Sequence, residues 1–149
     1  MKRQTLLRSL VAAGAVALLA SGCAMRPSNK IDIFEARLSG AQEVPAVNSA
    51  GSGQAELQWN RNSNVLSWKV TFTGLSGEVT GAHIHGPASP GENAGVVIPF
   101  MTGMSDTITG QTNLTSAQAL DLAAGRWYVN IHTAAFPGGE IRGQLTQRM

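Results

Sequence analysis

Short runs in which apolar and polar residues alternate, separated by turn-forming residues, are the feature that most constrains the fold. Between Gly53 and Trp59, Ala, Leu and Trp alternate with Gln and Glu, and residues 65–73 repeat the pattern after an Asn-rich segment at 60–64. Alternation with a period of two is typical of a half-buried strand, and Asn tolerates the backbone conformations of tight turns. These residues therefore predict a β-hairpin over 53–73.

Similar runs recur along most of the chain. The one helical pattern, at 115–125, has Thr115 or Ser116 as its N-cap and Gly125 as its C-terminal stop. About eight short strands with a single short helix predict an all-β fold, an antiparallel Greek-key β-sandwich or flattened barrel. The further strands are expected over 31–38, 80–85, 96–100, 106–113, 127–133 and 140–145. The expected core residues are Phe34, Trp59, Trp68, Val70, Phe72, Ile84, Trp127, Val129 and Ile131.

The N-terminal segment has the features of an export signal rather than of a folded element. Basic residues in the first eight positions precede an apolar run, residues 10–20, which is too short to span a bilayer. Cys23 is the only cysteine, and small residues precede it as in a bacterial lipobox. We therefore predict a lipoprotein signal peptide over 1–22, lipid attachment at Cys23, a lipidated tether over 23–30 and one folded domain over 31–149.

This signal predicts a bacterial cell-envelope protein that is anchored to a membrane through its lipid. Ala24 rather than Asp follows the cysteine, which by resemblance to bacterial sorting rules favours the outer membrane, facing the periplasm. A single cysteine allows no internal disulfide. The formal net charge of +2 comes from the basic residues of the signal. The folded domain is therefore near neutral, and we expect a partner protein in the envelope rather than nucleic acid.

The three histidines of the chain are placed where one site could hold them all. His83 and His85 are two residues apart in a β-like run and so share one face of their strand. His132 lies on the polar face of the run over 126–133, which an adjacent antiparallel strand could bring beside the pair. Two histidines on a polar face are more often solvated than metal-bound, but three together predict a metal site. The Irving-Williams order favours copper over zinc as the metal.

Five other residues are candidates for supporting roles near these histidines. Tyr128 and Asn130 share the face of His132 and either hydrogen bond to the metal ligands or face solvent. Glu140 begins the last strand and is a candidate outer partner or fourth ligand, with an exposed hairpin acid as the competing interpretation. Met101 and Met104 offer thioether sulfur to copper, with ordinary packing as the competing interpretation.

The sequence assigns no catalytic residue. It shows no Ser/His/Asp order and no nucleophilic cysteine, and its Gly-rich segments lack the strand, glycine spacing and helix of phosphate-binding loops. The alternative to metal binding is a metal-free protein- or glycan-binding or scaffold module of the cell envelope. One spatial question separates the two functions, namely whether the strands that carry His83 and His132 are neighbours.

Three blocks of sequence are shared with a known family. They are LSGAQEVP at 38–45, GAHIHGPA at 81–88, and the pair WYVNIHT and PGGEIRGQL within 127–145. On these blocks the chain resembles the CHRD domain family, which is named after the repeats of chordin and occurs in many exported bacterial proteins. The resemblance runs from Phe34 to Leu145. It implies a β-rich extracytoplasmic module and leaves the function open.

A weaker, architectural likeness is to copper/zinc superoxide dismutase, whose Greek-key barrel carries a His-x-His pair on one strand and another copper ligand on a late strand. His83 and His85 would match the pair, and His132 the late ligand. The loop 86–95 has no bridging histidine, the loop 134–139 is too short for a substrate-guiding arm, and the disulfide cysteines are missing. The likeness therefore implies a metal site without dismutase activity.

Overall fold

The computed structural model describes residues 30–100 and 105–149, and within them the chain is almost entirely β-structure. A single α-helix and one 3₁₀ turn at Gly40–Gln42 interrupt the strands of this described part. The predicted all-β class is therefore confirmed. The elements are β1 (Ile31–Ser39), β2 (Ser52–Asn60), β3 (Val65–Thr73), β4 (Val79–His85), β5 (Val96–Pro99), β6 (Thr107–Asn113), α1 (Ser116–Ala123), β7 (Tyr128–Thr133), β8 (Ile141–Gln144) and β9 (Thr146–Gln147).

The strands form one antiparallel sheet that curls into a half-barrel. Its order is β5-β4-β7-β8-β1-β2-β3-β6, and the short β9, which the sequence did not predict, pairs with β1. The curled sheet corresponds to the flattened-barrel form of the prediction. This order makes β4 and β7 direct neighbours, although β5, β6 and α1 separate them in sequence. The two strands that carry the histidines are therefore adjacent.

The hairpin predicted over 53–73 is present as β2 and β3. They pair in continuous register from Ser52 opposite Thr73 to Asn60 opposite Val65. The Asn60 side chain accepts backbone hydrogen bonds within the turn, and Asn64 adopts a positive φ of 57°. Asn is one of the few residues that tolerate this left-handed conformation, which explains the Asn-rich turn.

The helix also begins and ends where the sequence indicates. Thr115 is the N-cap, and it exchanges hydrogen bonds with Gln118 in a capping box. Gly125 follows the last turn with a positive φ of 68°, as expected for a residue that ends a helix. Within the described residues no helix combines the length and the apolar character needed to cross a membrane.

The apolar faces of the strands meet in one core inside the curl of the sheet. All nine core residues expected from the sequence are buried, and Phe34, Ile84 and Trp127 are completely inaccessible to solvent. The three histidines lie outside this core cluster, on the opposite face of β4 and β7. The predicted assignment of the two faces is therefore confirmed for these strands.

The histidine face is itself covered, by loops rather than by a second sheet. Tyr128, Asn130 and Arg142 lie on this face, and each is at most 4% exposed. The loop after β4 reaches across to them, and its Asn93 also donates a hydrogen bond to the Val44 carbonyl in the loop after β1. The polar face of β7 and β8 is thus a second buried layer.

Several predictions fall on residues that the structure does not describe. Residues 1–29 include the predicted signal peptide, Cys23 and almost all of the tether, and residues 101–104 include Met101 and Met104. The export signal, the lipid anchor and the thioether ligands therefore stay predictions.

Candidate metal centre

Pairing between β4 and β7 brings the three histidines together. His132 is paired with Gly81, and the next pairs along the ladder on the same face are His83 with Asn130 and His85 with Tyr128. The three rings form a triangle, with centroids 5.4 Å apart for His83 and His85, 5.0 Å for His83 and His132, and 5.8 Å for His85 and His132. One nitrogen from each ring lies within 4.8 Å of the other two. The convergence that the sequence left as a question is present.

Two loops determine which ring nitrogen of His85 and of His132 is free to bind a metal. Nδ1 of His85 is 3.0 Å from the Ala94 carbonyl oxygen, and Nδ1 of His132 is 2.9 Å from that of Pro137. A carbonyl oxygen can only accept, so Nδ1 carries the proton in both rings and Nε2 keeps its lone pair. These bonds also fix the orientation of each ring, which is a common arrangement for histidines that bind metals.

Three ring nitrogens, one in each histidine, are buried without a hydrogen-bond partner. They are Nδ1 of His83, Nε2 of His85 and Nε2 of His132. Buried polar atoms are normally paired, because an unpaired one loses its hydration without compensation. Tryptophan N–H groups of the core are also unpaired, but among the described residues only these histidines form a cluster with metal-ligand spacing. A metal ion would satisfy all three lone pairs at once.

Burial and neighbouring charges keep the rings of His83 and His85 neutral. Burial lowers the pKa of His83 below its ordinary value of 6.5, and the neighbouring His132 and His85 lower it further. Burial also lowers the pKa of His85; the charges of His132 and Arg142 add to this effect, and the hydrogen bond to Ala94 opposes it. A neutral imidazole is the form that can bind a metal, so the lowered pKa values keep His83 and His85 in that form at neutral pH.

Gly81 makes room for the His83 ring. A Cβ atom at position 81 would lie 3.0 Å from Cε1 of His83, closer than almost all real side-chain contacts. The ring leans over the glycine toward His132, which is paired with Gly81 on the neighbouring strand. The sequence analysis did not assign Gly81 to the site. A glycine inside a strand, two residues before a His-x-His pair, is the signal that could have identified it.

Tyr128 packs directly against the histidine cluster, through stacking rather than through the predicted hydrogen bond to a histidine. Its ring stacks on His85 with centroids 5.1 Å apart and an angle of 5° between the planes. Its hydroxyl accepts a hydrogen bond of 3.1 Å from the Ala94 backbone N–H, next to the carbonyl that holds His85. Tyr128 is 2% exposed, so the alternative that it faces solvent is wrong.

Arg142 lies on the other side of Tyr128 and was not predicted. Its guanidinium carbon is 3.5 Å from the Tyr128 ring centroid, and it donates hydrogen bonds to Asn93 Oδ1 and to the Glu92 carbonyl oxygen. The side chain is 2% exposed. A lone arginine on an expected hairpin gives no sequence signal of such burial, because a loop distant in sequence provides its partners.

Asn130 has a different partner from the one expected. It is 4% exposed, so it does not face solvent, and its Nδ2 group is 3.4 Å from Oε2 of Glu43. Asn130 Oδ1 and Glu43 Oε1 are both buried without a partner. Gly139 leaves space for them, since a Cβ there would lie 2.6 Å from the first oxygen and 2.7 Å from the second.

A protonated Glu43 would satisfy both of these oxygens. Burial raises the pKa of Glu43 to about 7, although the charge of Arg142 and the hydrogen bond from Asn130 each lower it. In the acid form, Oε1–H can donate to Asn130 Oδ1 while Oε2 accepts from Nδ2, which closes a two-bonded acid–amide pair. Asn130 thus connects the β7 strand to the loop after β1.

Glu140 is neither an exposed acid nor part of the histidine cluster. It is fully buried, and its carboxylate accepts hydrogen bonds from Ser49, Ser76 and Thr133. Burial raises its pKa, but the hydrogen bonds outweigh burial and hold the pKa of Glu140 below its ordinary value. The interpretation as an exposed hairpin acid is wrong because loops from two other parts of the chain fold over this position. Glu140 connects those loops to β7.

Comparison with known proteins gives one family. The CHRD domain model matches residues 34–145, which contain most of β1, all of β2 to β8 and all three histidines. Neither the curated proteins nor the solved structures include a significant match to the chain.

Proposed function

The chain belongs to the CHRD domain family, and we propose that this member binds one transition-metal ion through His83, His85 and His132. The observation that carries the proposal is the convergence of the three rings: one nitrogen of each lies within 4.8 Å of the other two, and each ring has a buried nitrogen without a hydrogen-bond partner. Two of the rings are already held in the required tautomer by loop carbonyls. The site would therefore accept a metal with little rearrangement.

Copper is the metal that we propose, with zinc as the alternative. Imidazole suits both ions, and for a given set of nitrogen ligands the Irving-Williams order places Cu(II) above Zn(II). Three protein ligands leave at least one coordination position for water or another small ligand. The roles consistent with such a site are metal storage, metal delivery and redox protection.

We further propose that the domain acts in the bacterial cell envelope. The support is in the sequence, where residues with the pattern of an export signal precede Cys23. Lipid attachment there would tether the domain to the outer membrane on its periplasmic side. A copper-binding domain in this compartment would meet its metal before the metal reaches the cytoplasm. A partner protein in the envelope would exchange the metal with it.

The test is a titration of the metal-free protein with Cu(II) and, separately, with Zn(II), followed by calorimetry and by the visible spectrum of copper. The parent is expected to bind one equivalent saturably, with copper held more tightly than zinc. The His83→Ala/His85→Ala variant is expected to lose this binding. The matched control is Thr107→Ala/Thr109→Ala, which changes an exposed i, i+2 pair on the edge strand β6 and should bind like the parent.

Two outcomes would reject metal binding by these residues. One is that the parent shows no saturable one-to-one binding of zinc or of copper in either oxidation state, and the other is that the double-histidine variant binds as well as the parent. The metal-free protein- or glycan-binding module would then be the better function. A polar groove of 670 Å³ on the outer face of β1, β2 and β3 would be the first surface to examine in that case.

A further inference from the structure

The histidine site has no negative charge of its own. All nine acidic residues of the chain lie in the described segments, because residues 1–29 and 101–104 contain no Asp or Glu. None of these acids belongs to the histidine cluster. The charged side chain that lowers the pKa of His85 is Arg142, which is positive; the other groups that lower the pKa values of His83 and His85 are histidines, which are neutral when they bind a metal. A metal ion bound here would therefore keep its full formal charge.

A buried arginine adds a fixed positive charge beside the site. Arg142 is separated from His85 only by the ring of Tyr128, which lies 3.5 Å from the guanidinium carbon and 5.1 Å from the His85 ring centroid. The hydrogen bonds of Arg142 go to a neutral amide oxygen and a carbonyl oxygen rather than to a carboxylate. The acid that faces it, Glu43, has its pKa raised to about 7 by burial, so near neutral pH it neutralises Arg142 only in part.

A positive environment with low solvent access discriminates between ions by charge. The cost of transferring an ion from water to a less polar site rises steeply with its charge, and repulsion from a nearby cation is proportional to that charge. Both effects penalise a divalent ion more than a monovalent one. The ligand nitrogens are buried, so water screens these effects only weakly.

The ligand number acts in the same direction. Cu(II) favours a tetragonal arrangement of four or more ligands, and three imidazoles from two strands do not complete one. The Irving-Williams order, which supports copper over zinc, compares divalent ions only and does not rank Cu(I).

We infer that this site binds Cu(I) more tightly than Cu(II), so that it stabilises the reduced state of copper. The inference rests on the proposed function, because it assumes that copper binds to the three histidines. It identifies the cargo as the cuprous ion. Arg142, acting through the Tyr128 ring, is assigned as a residue that tunes this preference rather than as a ligand.

The decisive measurement is made on the unchanged protein. Its dissociation constants for Cu(I) and Cu(II) are measured by competition with chelators specific for each state, and the reduction potential of the bound copper is measured by titration. We expect Cu(I) to bind about 100-fold more tightly, which places the potential about 120 mV above that of free copper, since each tenfold ratio corresponds to about 59 mV for one electron. A preference for Cu(I) of less than tenfold would overturn the inference.

The two proposals fail in distinguishable ways. If neither oxidation state binds one-to-one, the metal site itself is rejected. If Cu(II) binds one-to-one and Cu(I) binds no more tightly, the metal site stands and only the preference for Cu(I) is rejected.

A set of arginine variants tests the role assigned to Arg142. Arg142→Met removes the charge and is expected to lower the potential by about 59 mV, a tenfold loss of the preference for Cu(I). Arg142→Lys keeps the charge and should retain most of the parent's potential. Arg126→Met, which changes an exposed arginine paired with Asp121, is the matched control and should not change it. Equal potentials for the Met and Lys variants would reject the tuning role, and the measurement on the parent stands even if a variant fails to fold.

Discussion

The buried carboxyl of Glu43 should make the domain less stable as the pH rises, and replacing it with Gln should remove this effect. Glu43 is 7% exposed, and burial raises its pKa from 4.5 to about 7. In the folded protein the neutral acid pairs with Asn130, whereas in the unfolded chain the same group ionises at its ordinary pKa. A glutamine at position 43 can form the same two bonds to Asn130 and has no proton to lose.

The size of the effect follows from the two pKa values of Glu43. Between pH 4.5 and 7 the folded state binds more protons at this group than the unfolded state does, so the free energy of unfolding falls as the pH rises. At about 1.4 kcal/mol per pKa unit, the loss is about 3 kcal/mol once the pH exceeds 7. We therefore expect the Glu43→Gln variant to match the parent near pH 4.5 and to exceed its stability by about 3 kcal/mol at pH 8.5.

The measurement is denaturant unfolding of parent and variant, followed by tryptophan fluorescence with a chelator present, at intervals from pH 4.5 to 8.5. His83 and His85, whose pKa values are lowered, make stability rise with pH below 6.5, but this contribution is common to both proteins and cancels in their difference. Glu78→Gln, at an exposed position, is the control and should show no comparable difference. A gap between parent and Glu43→Gln that does not change with pH would refute the assignment of a neutral, buried Glu43.

Four further predictions concern the site, the core and the export signal. Gly81→Ala places a Cβ 3.0 Å from the His83 ring, and we expect metal affinity to fall roughly 10-fold while the unfolding midpoint changes little. Isothermal titration measures the affinity, and thermal melts measure the midpoint, of parent and variant. Metal affinity should decrease as the pH falls, but only below the ordinary histidine pKa of 6.5, because the pKa values of His83 and His85 are lowered and protons compete with the metal only at lower pH. Titrations at pH 7, 6 and 5 test this, and a loss of half the affinity above pH 6.5 would contradict it. Trp127→Ala should destabilise the metal-free protein by about 3 to 5 kcal/mol and His132→Ala by much less, because the first substitution opens a cavity in the core. A reversed order of unfolding midpoints would show that the core and histidine faces of the sheet are misassigned. Cys23→Ser should release the domain into the soluble periplasmic fraction or leave it as the uncleaved precursor. If cell fractionation finds the variant in the membrane with the same mature N-terminus as the parent, the lipid anchor is rejected.

Most of the fold could be predicted because its signals are local. The alternation in β2 and β3, the Asn-rich turn between them and the capping residues of α1 each fix a backbone conformation within a few residues of sequence. The same alternation separated the histidines from the core side chains, since a strand exposes every second residue to one face. The sheet order depends on pairing between distant segments, and no local pattern encodes it.

For the candidate site, the sequence predicted which histidines share a face of their strands and no more. The period-two spacing places His83 and His85 on one face, whereas the adjacency of His132 required the structure. The burial of Arg142, Glu43 and Glu140 could not be foreseen. Each is a charged residue in a loop or at a strand end, where exposure is the usual outcome, and each is covered by a loop that is distant in sequence.

If the three histidines bind a metal as proposed, the pairing of β4 with β7 also determines at which stage of folding they can do so. The three histidines belong to strands separated by two other strands and a helix in sequence, so an unfolded chain presents at most the single pair His83 and His85 at close range. Three-point binding begins only after β7 has joined the sheet. A metal that binds the folded state alone stabilises it by an amount that grows with the free metal concentration. In the compartment proposed here, copper supply would thus set how long each folded molecule survives proteolysis.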